Sequence, residues 1–135
     1  MTAKSMSAFL CDNMEGVENK EIIVTKRAKD EKGNPVSWEI KALDAGTIKR
    51  LRKASTKFIN GTLDVDTEVL NAKLACESVV FPDLKDEGLQ KSYGVMGEEA
   101  LLNKMLLPGE YDNLIAQVMG VNGYNAEELV NEAKN

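Results

Sequence analysis

The chain has 135 residues, 43 % hydrophobic and 29 % charged, a balance that fits one globular domain and excludes disordered or collagen-like polypeptide. Its formal charge of −5 divides unevenly, +4 over residues 1–60 and −9 over 61–135, which argues against a general nucleic-acid binder. There is no histidine and there are only two cysteines, so the usual general base, the Ser-His and Cys-His nucleophile pairs and a thiolate cluster for zinc or iron are all missing.

Residues 1–18 read as a polar arm with one apolar knot, Phe9-Leu10. No stretch there has the length of a secretory leader, and no run in the chain reaches the roughly 20 apolar residues of a membrane-crossing helix. The expected location is the cytoplasm, where Cys11 and Cys76 stay unbridged and Cys76 serves as a small core residue.

Two strand-like runs follow. Ile22-Ile-Val-Thr25 is β-branched, and in Val36-Ser-Trp-Glu-Ile-Lys-Ala42 the residues Val36, Trp38, Ile40 and Ala42 share one face. Between them Lys29-Asp-Glu-Lys-Gly-Asn-Pro35 is dense in turn formers. The pattern predicts a β-hairpin with a solvated tip, its Trp38 row covered by helices because a lone hairpin is marginal in water.

From Asp44 the period becomes helical. Asp44 caps a predicted helix with the stripe Ala45, Ile48, Leu51, Ala54 and Phe58, ended by Asn60-Gly61. Lys49, Arg50, Arg52, Lys53 and Lys57 fall on its other side. A second helix is expected over about 66–80, packed on two faces and stopped by Pro82. Shorter ones follow over Asp86–Ser92 and Glu98–Leu107, then a restart after Pro108-Gly109 through Leu114, Ile115, Val118 and Met119. Asn125 followed by Glu128 opens a terminal helix. The fold class expected is therefore α+β: an N-terminal β-hairpin followed by about five short α-helices in one compact domain over 1–135, with the arm at 1–18, the hairpin at 20–43 and the helical part at 44–135.

Most candidate chemistry dissolves on inspection. Asp64-Val-Asp66-Thr-Glu68 opens like a calcium loop, but Val69 and Ala75 stand where that pattern needs glycine and glutamate, and a helix cap explains the carboxylates. Gly94-Val-Met-Gly97 follows no predicted strand and carries no lysine-serine pair, so it reads as a turn rather than a phosphate cradle. The basic stripe has no interleaved aromatics and reads as a solvated helix face. Adjacent Glu98 and Glu99 diverge by about 100° on a helix and form no catalytic dyad.

One feature exceeds this background. Leu101-Leu102 with Met105-Leu106-Leu107, and Leu114-Ile115 with Val118-Met119, repeat an i, i+1, i+4, i+5 pattern that gives each helix an apolar arc wide enough for two surfaces. Adaptable methionines at 96, 105 and 119 suit a partner-binding groove, and Leu102, Met105, Leu106, Ile115 and Met119 are the candidate contact residues.

Val36-Ser-Trp-Glu-Ile40, Val79-Val-Phe-Pro-Asp-Leu84, Leu89-Gln-Lys-Ser-Tyr-Gly-Val-Met-Gly97 and Ala100-Leu-Leu-Asn-Lys-Met-Leu-Leu-Pro-Gly-Glu-Tyr111 resemble the tail assembly chaperones of Gram-positive phages and PBSX-type prophages. Ala8-Phe9-Leu10 and the closing Glu132-Ala-Lys-Asn135 fit the same pattern, so the resemblance spans most of the chain. It implies a non-enzymatic protein, without cofactor or metal, that binds the hydrophobic tape measure protein, helps recruit tail tube subunits and leaves before the tail is complete. No nucleic acid and no membrane are implied, and a homo-oligomer stays open. The rival expectation is a permanent tail-tube or connector subunit of the virion.

Overall fold

The computed structural model describes residues 5–124. Among them a 3-10 turn, Met6–Phe9, precedes strands β1 (Lys20–Ile22) and β2 (Trp38–Ile40). Helix α1 (Ala45–Ala54), strands β3 (Thr56–Ile59) and β4 (Thr62–Val65) and helix α2 (Thr67–Ser78) come next. Strand β5 (Val79–Phe81) then leads to helices α3 (Glu87–Ser92), α4 (Glu98–Met105) and α5 (Pro108–Val121). The architecture is α+β, as the patterning requires.

β1 and β2 form the expected antiparallel hairpin, with Ile22 opposite Trp38 and Lys20 opposite Ile40. The paired strands are shorter than the alternating runs, and the connection is closed by a bridge between Lys29 and Pro35. β5, which periodicity alone assigned to a helix end, pairs antiparallel with β2 and completes a sheet in the order β1-β2-β5. Ile22, Trp38 and Ile40 point from one face of it into the core, where Leu51 of α1, Leu74 and Ala75 of α2, Leu101 and Leu102 of α4, and Leu114 and Val118 of α5 meet them. The expected helical cover over Trp38 is thus present.

Three helix starts follow the acidic-cap rule. Asp44, Asp66 and Asp86 each accept a hydrogen bond from the backbone N–H three residues on, at 2.7, 3.3 and 2.8 Å. α5 starts differently: Pro108 occupies its first turn, and the Glu110 carboxylate reaches back to the Leu107 N–H at 2.8 Å. Its far end is tied by Asn122, whose Oδ1 accepts from the Leu43 N–H at 2.6 Å and whose Nδ2 donates to the Val118 carbonyl at 2.8 Å.

The first helix is shorter than its apolar stripe suggests. It stops at Ala54, and Asn60-Gly61 is not a helix end but the tip of a second hairpin, β3–β4, with Thr56 opposite Val65 and Phe58 opposite Leu63. Both tip residues have positive φ, 54° and 80°, the combination that a two-residue hairpin turn of right-handed twist requires. Phe58 consequently leaves the core and is 73 % exposed. Lys57 leaves the basic helix face as well and pairs with Asp66 at the start of α2. Gly94 and Gly97, at φ 67° and 98°, make the turn between α3 and α4 that was expected of them. The helix expected after Asn125 lies outside the described residues.

Candidate partner-binding surface

α2 is the hub of the helical layer, touching α1, α4, α5 and β5. Its inner side chains, Leu74 and Ala75, are sealed, while Val69, Ala72 and Cys76 are half-buried. An open groove of about 680 Å³ is lined by residues of α2, α4 and α5 and by Leu106 and Pro108 at the break between the last two. Val69, Ala72, Leu106 and Ile115 give it apolar lining, and Asn71, Asn103 and Tyr111 add polar groups. The Asn71 Oδ1 is buried and has no hydrogen-bond partner, an arrangement that costs about 1–3 kcal/mol until a donor arrives.

The charge lining this groove is of one sign. Glu68, Glu99 and Asp112 border it, and no lysine or arginine does so among the described residues. Glu99 has a distant ion pair with Lys73, Nζ to Oε1 3.6 Å, which sits outside the groove lining. The Tyr111 phenol is pushed above its ordinary range, first by burial and then by its neighbours, among them the carboxylates of Glu99, Glu68 and Asp112.

A second, smaller cavity of about 340 Å³ opens between the β1–β2 connection, β5 and α3, with Trp38, Phe81, Tyr93 and Met105 in its wall. Its edge is braced by Arg27, which donates from Nη2 to the Met105 carbonyl at 3.0 Å and from Nε to Glu110 Oε2 at 3.3 Å. The Arg27 guanidinium, with help from the Leu107 N–H, holds the Glu110 carboxyl down at about 2. A third, wide depression of about 750 Å³ between α1, α2 and the start of α4 has Cys76 and Met96 in its wall. Burial, followed by the nearby glutamates with Glu98 first, pushes the Cys76 thiol up to about 12, outside the range of a reactive thiolate. No cluster of three or more metal-ligating side chains occurs among the described residues, and none of the helices there is long and apolar enough to cross a membrane.

The five candidate contact residues do not share one surface. Ile115 lines the α2–α4–α5 groove with Leu106, although Leu106 is only 7 % exposed. Met105 turns instead to the smaller cavity. Met119 is half-buried against the core. Leu102 is fully buried in one cluster with Leu101, Leu114 and Val118, which corrects the expectation that it offers contact area: α4 packs against α2, and Leu102 belongs to the sealed core. Sequence reasoning missed several exposed apolar side chains, among them Phe58 and Leu63 on the β3–β4 ribbon and Phe81 on β5. For the ribbon the Asn60-Gly61 pair was the available signal.

Comparison with known proteins identifies the fold and its lineage. The structure superposes on the crystal structure of the protein YqbN with a TM-score of 0.81 and 26 % identity, covering 92 % of this chain and 100 % of that one. The PBSX phage-like element protein XkdN of Bacillus subtilis (strain 168) is 28 % identical over 138 residues, spanning 96 % of this chain and 93 % of the relative. YqbN of the same strain aligns over equal shares at 28 % identity. Residues 6–134 match the family described as phage XkdN-like tail assembly chaperone protein, and the chain belongs to that family.

Proposed function

We propose that this chaperone acts on the tape measure protein, holding it soluble in the host cytoplasm while tail tube subunits assemble around it. A tape measure helix carries apolar stripes that stay exposed until the tube encloses them, and an acidic partner with an open apolar groove lowers their tendency to aggregate. The observation that supports this reading most is the open groove between α2, α4 and α5, which exposes apolar side chains of α2 and α5 beside the core. Ile115 and the edge of Leu106 are the proposed contacts there, with Met105 and Met119 contributing from neighbouring surface. The modest size of the groove fits a complex that must come apart, since large dry interfaces belong to permanent assemblies.

Co-expression with a tape measure protein from the same genome tests the reading. The expected result is a larger soluble fraction of the tape measure protein and a complex that survives gel filtration. An unchanged soluble fraction with no complex would end it. Recovery of this chain from purified phage particles by mass spectrometry would favour a permanent virion subunit instead.

A further inference from the structure

Resting on the reading that this chain holds another polypeptide, we infer that the α2–α4–α5 groove selects an amphipathic helix whose apolar stripe is flanked by lysine or arginine. The groove combines two features that a purely hydrophobic holdase does not need. Its apolar lining, Val69, Ala72, Leu106 and Ile115, takes the stripe of a helix, while Glu68, Glu99 and Asp112 place carboxylates around it; Glu99 is paired with Lys73 from outside the lining, and Glu68 and Asp112 have no ion pair among the described residues. Three different helices supply these acids, so the negative field belongs to the groove and not to one solvated helix face. The Tyr111 phenol in the same lining is pushed up first by burial, and Glu99, Glu68 and Asp112 push it in the same direction.

The occupant follows from that chemistry. A helix with an acidic border would set like charges against the rim, and a wholly apolar one would leave the carboxylates to be desolvated without a partner. A basic-flanked helix satisfies both. The basic stripe of α1 in a second copy of this chain is the competing occupant by charge, but α1 directs its apolar side, including Leu51, into its own core and has no stripe left for the groove lining.

Two synthetic 20-residue amphipathic peptides decide the matter, one with leucines flanked by lysines and one with the same leucines flanked by glutamates. Fluorescence anisotropy should show the lysine peptide binding the full chain at least roughly tenfold more tightly than its twin, with the gap narrowing as salt rises. The double variant Glu68→Lys/Asp112→Lys, both side chains exposed, should reverse the preference. Glu31→Lys/Glu87→Lys, outside the groove, should leave it in place and so separate groove recognition from the net charge of −5. Equal binding of the two peptides, or the same preference in both double variants, overturns the inference. So does self-association in sedimentation that Glu68→Lys/Asp112→Lys abolishes and the lysine peptide fails to displace, which would assign the groove to a second copy. Solubilisation of the tape measure protein by Glu68→Lys/Asp112→Lys at the wild-type level would remove the groove while leaving the chaperone reading intact. Failure of the wild type to solubilise it would remove the chaperone reading, whatever the peptides do.

Discussion

The two hairpins of this molecule are built from similar local chemistry and end in opposite environments. β1–β2 places Ile22, Trp38 and Ile40 in the core, whereas the β3–β4 ribbon holds Phe58 and Leu63 opposite one another in solvent. The difference lies in what each hairpin meets. β2 gains β5 as a third strand and the helices as a cover, but among the described residues β3 and β4 pair only with each other. Turn chemistry and alternation are sufficient to make a hairpin; burial, and with it most of the stability, comes from elements far away in sequence. Apolar side chains left on the outer hairpin are therefore nearly free to serve another purpose, while those on the inner one are not.

Truncation should separate the two hairpins most sharply. Trp38→Ala removes a large buried ring and is expected to cost about 3–5 kcal/mol in urea unfolding. Phe58→Ala, on the ribbon, should stay within about 0.5 kcal/mol. Comparable losses at both positions would mean that the ribbon is packed against something.

Acid should release the inner hairpin's connection before it affects the ribbon. The folded Glu110 carboxyl titrates at about 2 against an ordinary 4.5, because Arg27 and then the Leu107 N–H favour its charged form. A depressed carboxyl contributes stability that is present above the unfolded value and is lost as pH falls from about 4.5 towards 2. Glu110→Gln should remove that part of the pH dependence of the urea midpoint and leave the midpoint above pH 5 less sensitive to further change. An unaltered acid profile in the variant would show that the Arg27 contact contributes nothing to folding.

Thiol labelling gives the smallest contrast, arm against core. Cys11 is exposed, and Cys76 is half-buried with its thiol raised to about 12. Native protein at pH 8 should react quickly with one equivalent of a thiol reagent and with the second only after unfolding. Two fast equivalents would place Cys76 in an open environment.

The sequence made the starts of α1, α2 and α3 and the inner hairpin legible because each rests on a local signal, an aspartate cap or a run of alternating residues. It misled where a longer period overlapped a shorter one by coincidence. Phe58 falls in phase with Ala45, Ile48, Leu51 and Ala54, which hid the two-residue turn at Asn60-Gly61 and the β-branched Thr56 and Ile59 around it. β5 has only three residues at the end of α2 and owes its existence to pairing with β2, a contact no local pattern announces. The candidate surface was legible to the same degree. The wide apolar arcs of α4 and α5 were visible in the chain, but which members stay uncovered is decided by how α2 packs between them, and this left Ile115 in the groove and sealed Leu102.

The heat-capacity change of binding tests most directly the claim that this protein works by sharing apolar surface with another chain. Titration calorimetry at several temperatures, with a solubilised tape measure segment as titrant, should give a clearly negative value that persists at high salt, as burial of apolar area requires. A value near zero, or an association that vanishes once charges are screened, would contradict it.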